Sequence, residues 1–578
     1  MTGAWDVPSP GRRLRFWRQA ELRLLGRRSR QVLLLAAVTG LVTGTVVAGF
    51  EYLVNEQILA RVEAWPLALQ ACAPGLGLVG AALALRYLAH GASPEMSDDY
   101  IANFHDRHRR LDRGPVAGRV AASASTLGFG GAMGFEGPSI YLGAAIGATI
   151  QARLTRYFSR EDAKTLMVAG AAAGLAAVFK APATGAVFAI EVPYQDDLAG
   201  RMILPALCAS AVSYTTFVAL RSTTALLPLG GSAPFHLLDL GGAVVVGLTC
   251  GLGARLLAWG LRATKRVAQR GLLPVRVVTT GATLAALAFA SDAVCGKALT
   301  LGPGYRAVGW ALEPRQGLDA VAALLVLRAL AVLATVGGGG AGGLFIPLVV
   351  EGALLGRIVG GVLGAPHGTL YPVLGIAAFL AGGYRTPLTA VMFVAETTGQ
   401  AGFVVPALLA AVVAQLVMGR RSIAPDQVAA RAGHLEARLR LPVSAAIARD
   451  APTILSTMTV ADFIRRDVIG RHAAVAPVVD DGHLLGVIDL AAVEAIPRAD
   501  RDRTLVRDAM WADHPVGHNT WTLRDAVSAM EAGDVDVLPI VDGDFLYIGL
   551  LSTGAILALG DLLGQSDDYG PDPDPPPP

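Results

Sequence analysis

The sequence predicts an all-α polytopic membrane protein built from two repeated halves with tilted and broken helices, followed by a smaller α/β module. Three observations carry that expectation. Of 578 residues, 53% are hydrophobic and only 16% charged, and the mean hydropathy of +0.50 is too high for a soluble chain of this size. Apolar segments recur at 32–60, 66–89, 115–150, 165–192, 200–228, 237–262, 272–299, 317–338, 343–363, 370–398 and 402–419. Glycine and proline, 68 and 33 residues, interrupt many of them, which implies short and partial membrane helices. The third observation is an internal repeat. Ala181-Pro-Ala-Thr-Gly-Ala-Val-Phe-Ala-Ile-Glu191 returns as Thr386-Pro-Leu-Thr-Ala-Val-Met-Phe-Val-Ala-Glu396, with Pro182, Phe188 and Glu191 matched at an offset of 205 (387 − 182).

Residues 1–31 are basic: Arg12, Arg13, Arg15, Arg18, Arg23, Arg27, Arg28 and Arg30 stand against Asp6 and Glu21, and no apolar core precedes Gln31, so the segment is no signal peptide. It reads as a cytoplasmic amphipathic helix lying on the membrane surface. The membrane domain is expected over 32–424. Within it, Gly134-Phe-Glu-Gly-Pro138 precedes the charge-free run 139–150, which places one acid at the mouth of an apolar helix. Pro138 suits a helix start, and the free N–H groups there form an anion site for which a tethered carboxylate competes. An ionisable group inside a membrane stretch is a functional candidate, the alternative being an ordinary acidic helix start. Gly342-Gly-Leu-Phe-Ile-Pro347 is the counterpart in the second half, and Gly174-Leu-Ala-Ala echoes Gly375-Ile-Ala-Ala. A Gly-rich break before a half-helix in each half describes a transporter-type fold with its site at the repeat interface. Recurring small-residue packing motifs are the competing reading, weakened by the matched Pro, Phe and Glu.

A linker at 425–440 leads to a different composition. From Leu441 onward there are 22 acids against 9 basic residues, so an acidic soluble region follows, and nucleic-acid binding is not expected. Thr459-Val-Ala-Asp462 and Thr522-Leu-Arg-Asp525 lie 63 apart (522 − 459), and strand-like runs at Ala476–Asp480 and Leu538–Asp542 are followed by Asp-Gly turns. These place one repeat at 441–500 and a second at 501–564. The acidic, proline-rich tail 565–578 is expected to be disordered. Four cysteines and ten histidines show no metal spacing and no nucleophile with a base, so neither an enzyme nor a metal or cofactor site is expected.

Taken together, these motifs resemble the CLC family of chloride channels and proton-coupled chloride exchangers, and the tandem repeat resembles a pair of CBS domains. Gly134-Phe-Glu-Gly-Pro138 resembles the family's G-R-E-G-P, Gly342-Gly-Leu-Phe-Ile-Pro347 its G-G-x-F-x-P, and His90-Gly-Ala-Ser-Pro-Glu95 stands where G-S-G-I-P-E belongs. The resemblance implies an inverted repeat and a homodimer in the inner (plasma) membrane, with both termini cytoplasmic and one anion pathway per subunit. Glu136 would be the gate. Gly91, Ala92, Phe135, Glu136, Gly137, Leu344, Phe345, Ile346 and Ile423 would surround the anion, with Arg119 and Arg328 as pathway charges or as structural cations. Four residues depart from the family. Gly91 replaces the central serine and Ile423 the tyrosine, leaving the inner constriction without its two polar side chains; weaker chloride over nitrate discrimination would follow. Phe135 replaces the motif's arginine. Val192 stands where exchangers commonly carry an internal acid that relays protons, as in the channel members, and Glu191 or water is the alternative relay. The leading expectation is a voltage- and proton-gated passive anion channel, and the alternative is a proton-coupled chloride exchanger. The CBS sites that hold adenosine carry a ribose-binding Asp where this chain has Ala492 and Ala555, so nucleotide binding is not expected.

Overall fold

The computed structural model describes residues 10–106, 111–112, 114–154, 164–221, 227, 237–313, 315–365, 368–429, 439, 441–470, 474–556 and 558–559; the side chains of 10–29 and 237–238 are not described. The chain divides into two units, Met1–Arg431 and Ala432–Pro578.

The first unit is helical. Its elements are α1 (Pro10–Glu51), α2 (Ala60–Glu63), α3 (Leu67–Leu83), α4 (Met96–His105), α5 (Val116–Gly128), α6 (Glu136–Arg153), α7 (Thr165–Phe179), α8 (Pro182–Glu191), α9 (Ile203–Leu220), α10 (Leu237–Arg270), α11 (Leu273–Cys295), α12 (Tyr305–Ala311), α13 (Leu318–Gly337), α14 (Phe345–Val362), α15 (Leu370–Tyr384), α16 (Pro387–Thr398) and α17 (Val404–Met418). Among the described residues, eight helical stretches are long and apolar enough to cross a membrane, and α7 and α15 are shorter apolar helices. The basic N-terminal segment is not a separate helix: α1 runs on without a break into the first apolar stretch.

The long apolar runs break where the sequence punctuates them. Lys180 and Arg385, 205 residues apart, both adopt left-handed φ, 54° and 57°. Each is followed by a non-helical residue and a proline, Ala181-Pro182 and Thr386-Pro387, because the residue before proline is pushed out of the helical region. Proline then opens α8 and α16. The two halves pack by the same rule at matched glycines. A Cβ on Gly143 of α6 would strike the Gly170 carbonyl of α7, and one on Gly352 of α14 would strike the Gly375 carbonyl of α15. Close helix crossing at small residues is how membrane helices gain van der Waals contact.

Contacts between the halves are reciprocal. The Ala132 N–H donates to Thr335 Oγ1 (3.1 Å) and the Ala341 N–H to Thr126 Oγ1 (3.0 Å), a pair of bonds exchanged at an offset of 209. Glu191, ending α8, caps the start of α16 through Leu388 N–H (3.0 Å), Thr389 N–H (2.8 Å) and the Thr389 hydroxyl. Glu396 does the same for α8 through Ala183 N–H (2.8 Å), Thr184 N–H (2.7 Å) and the Thr184 hydroxyl. Such exchange is the mark of an approximate two-fold relation, and each carboxylate satisfies amides that would otherwise be orphaned at a buried helix start.

The second unit carries the tandem repeat. In the first copy β1 (Val475–Asp480) pairs antiparallel with β2 (His483–Asp489); in the second, β3 (Gly517–His518) runs parallel to β4 (Val537–Val541), which pairs antiparallel with β5 (Tyr547–Ser552). Thr459 caps α18 (Val460–Phe463) by accepting from Asp462 N–H, and Thr522 forms a full capping box with Asp525 at the start of α19 (Leu523–Gly533). Each copy has its own small apolar core, around Phe463 and Ile488 in one and Leu523 and Ile540 in the other. The tail 565–578 lies outside the described residues.

Candidate functional site

The starts of α6 and α14 meet inside the first unit. Gly134 and Gly343 exchange backbone hydrogen bonds, 2.9 and 2.8 Å, and hold the two helix N-termini together. Glu136, the first residue of α6, is 1% exposed. Its Oε1 accepts from the Phe345 N–H (2.5 Å) and the Ile346 N–H (3.3 Å) at the N-terminus of α14, while Oε2 is buried without a partner. Positive helix ends favour such a carboxylate. The approach needs Gly343, since a Cβ there would overlap the Glu136 carboxyl, and Gly137, whose Cβ would meet Gly342 and Gly343 backbone at 2.7 to 2.9 Å.

A cavity of about 260 Å³ ends beside this seat. Glu95, Asp98 and Lys265 line it together with the buried Gly343, Tyr384 and Ile423 and the half-buried Leu344. Lys265 pairs with Glu95 (2.6 Å) and Asp98 (3.4 Å). Gly343 belongs both to the cavity lining and to the Glu136 seat, so the carboxylate lies next to the cavity, on the far side of that glycine.

The site residues expected from sequence fall into three groups. Glu136, Gly137, Leu344, Phe345 and Ile346 are brought together, and Ile423 lies on the cavity with its N–H donated to the Gly383 carbonyl (3.0 Å). Phe135 is buried next to Glu136, its ring edge-on to Phe50 at 6.2 Å. Gly91 and Ala92 are not brought to the site. Their N–H groups are already donated to the Leu85 and Ala89 carbonyls, and neither lines the cavity, so they hold no donor toward it. Arg119 is likewise no free pathway charge: it pairs with Asp99 (2.9 Å) and lies over the Tyr141 ring at 4.8 Å. Arg328 is fully buried and donates to the Thr300, Gly302 and Pro303 carbonyls at 2.9 to 3.0 Å, clamping the loop ahead of α12.

Val192 is buried, its carbonyl accepting from Gln427 Nε2 (2.8 Å). Gln427 also reaches the Tyr384 carbonyl (2.7 Å), and Val428 bridges Tyr194, so the expected linker 425–440 begins as part of the helical body. Glu191, the alternative relay, is committed to capping α16.

Sequence reasoning passed over several polar residues. Tyr384, Ser97 and Lys265 line the cavity, and Glu351 on α14 is buried with Oε1 unpartnered. The repeat held a signal for Tyr384, which occupies the place of Phe179 in the first half (384 − 179 = 205) and differs from it by a hydroxyl.

The sequence pattern of the family described as "Voltage gated chloride channel" matches residues 76–419, and that of the CBS domain matches 443–493. Among similar curated proteins, "Voltage-gated ClC-type chloride channel ClcB" of Citrobacter koseri is 27% identical over 68% of this chain and 97% of its own length. "H(+)/Cl(-) exchange transporter ClcA" of Klebsiella pneumoniae is 27% identical over 67% of this chain and 85% of its own. A solved eukaryotic CLC transporter shares the fold with a TM-score of 0.58 at 16% identity, covering 90% of this chain and 97% of that one.

Proposed function

Because the chain belongs to the voltage gated chloride channel family, we propose that it moves chloride and other monovalent anions across the membrane through one pathway per subunit of a homodimer, with Glu136 as the gate. The observation that carries this reading is the Glu136 carboxylate seated on the Phe345 and Ile346 amides, next to the cavity that Gly343 and Leu344 line. An anion arriving there needs the same donors, so the ionised side chain and the anion exclude one another. Protonation removes the charge that holds the side chain in place, so protons from the outer solution open the path. The proposed setting is the inner membrane with both termini cytoplasmic, and the CBS pair is assigned a structural or gate-linked role without bound nucleotide.

Proton-coupled exchange is the reading of choice for the coupling. An acid that both blocks the anion and takes up a proton is the minimum an exchange cycle requires, and relatives named exchange transporters align along the membrane domain. Passive conduction, the leading expectation from sequence, becomes the second reading. It is favoured by Val192, which carries no proton, and by Glu191, whose carboxylate is held in a helix cap. Proteoliposomes under an imposed chloride gradient decide between them. Uphill proton movement establishes the exchanger; a reversal potential that stays at the anion equilibrium value under a pH gradient establishes the channel. Absence of anion flux would defeat both.

A further inference from the structure

With Gly91 and Ile423 in place of a serine and a tyrosine, the cavity was expected to lack side-chain donors. It does not lack them. Tyr384 ends α15 immediately before the left-handed Arg385, and this break turns its side chain onto the cavity. The ring stands edge-on to Phe188 at 5.3 Å and lies 6.4 Å from Phe345, and Gln427 holds the backbone carbonyl, so the side chain is fixed. Its hydroxyl lies within reach of the Leu344 N–H, beside the amides that seat Glu136. Ser97, in the first turn of α4, lines the same cavity, and its Oγ is buried with no hydrogen-bond partner.

We propose that the Tyr384 and Ser97 hydroxyls are the side-chain anion ligands of this cavity and set its selectivity. The inference rests on the reading of the protein as an anion transporter. A hydroxyl is both donor and acceptor, and a buried one without a partner is ready to donate. The charges around the cavity nearly cancel, since Lys265 and Arg276 face Glu95 and Asp98. The anion is therefore held by O–H and N–H dipoles instead of by a fixed cation, a weak binding mode compatible with onward movement. Small monovalent anions of the halide and nitrate class suit such a site, whereas a dianion would meet the two carboxylates without a compensating excess of positive charge.

The test uses the purified full chain. Calorimetric titration with potassium chloride and paired chloride and nitrate fluxes in proteoliposomes are measured for wild type, Tyr384→Phe, Ser97→Ala and the double variant. Each single substitution is expected to weaken chloride binding by about threefold or more and to change the chloride to nitrate flux ratio, the double variant more than either. Wild-type affinity and flux ratio in both single variants, with wild-type elution from a sizing column, would overturn the proposal. If Tyr384→Phe does not purify, Ser97→Ala decides alone: unchanged binding sinks the inference, and weakened binding with wild-type elution supports it. Failure here is distinct from failure of the transport reading, which would appear as a wild-type protein that carries no anion at all.

Discussion

Replacing Glu136 by glutamine keeps the length and volume of the side chain and removes its charge. The wild-type carboxylate accepts one short hydrogen bond from Phe345 N–H at 2.5 Å and a longer one from Ile346 N–H at 3.3 Å. Hydrogen bonds to an ionised group contribute about 1.5–3 kcal/mol and neutral ones about 0.5–1.5 kcal/mol, so the short bond loses about 1–1.5 kcal/mol in the glutamine variant. Every 1.4 kcal/mol is about tenfold in an equilibrium, so the closed state should lose roughly five- to tenfold in population. Glu136→Ala removes the whole bond and should release more. The assay is anion efflux from proteoliposomes followed with a chloride electrode over a range of external pH. Wild-type flux should rise as external pH falls. Both variants should exceed it at neutral pH, alanine above glutamine, and neither should respond to pH. A glutamine variant with wild-type flux and an unchanged pH response would refute the assignment of the carboxylate as the gate.

Further outcomes follow from the same contacts. Gly343→Ala places a Cβ on the Glu136 carboxyl, so it should mimic Glu136→Ala in flux and in loss of pH response; a variant of wild-type behaviour would mean that the carboxyl does not seat there. Glu191→Ala and Glu396→Ala each orphan buried amides at a helix start, at a cost of about 1–3 kcal/mol per unsatisfied group. Both should lower the thermal midpoint in detergent by similar amounts, and loss of proton movement in Glu191→Gln with an unchanged midpoint would contradict the capping role. In the second unit, burial holds the His514 imidazole below its ordinary value of 6.5. The unfolded chain then binds more protons, so stability is complete above about pH 6.5 and declines as pH falls through the lower folded value. Hydrogen exchange around Trp511, whose ring lies 4.7 Å from His514, should quicken on acidification and lose that dependence in His514→Gln. Calorimetry with ATP and AMP should show weak or absent binding, because Ala492 and Ala555 offer no carboxylate to ribose; micromolar affinity would defeat that reading.

The amino-acid order alone determined the class of the protein, the two repeated halves, the half-helix starts and the acid at the mouth of α6. These are local signals: proline at a first helical turn, glycines at a break, apolar runs of limited length, and a spacing of 205 that survives in both halves. The repeat of Thr459-Val-Ala-Asp462 as Thr522-Leu-Arg-Asp525 was legible for the same reason, and the structure adds that each threonine caps a helix through a partner three residues on. Tertiary structure decided everything that depends on where a side chain points after a break in the helix. It carried Glu136 to amides 209 residues away and crossed Glu191 and Glu396 to cap each other's helices. It also left Gly91 exposed with its amide already used, tied Arg119 to Asp99, and turned Tyr384 into the cavity. Alignment to a motif fixes which residue occupies a position. It cannot fix which carbonyl that residue's N–H already satisfies, because that partner is chosen only when the two halves close on one another.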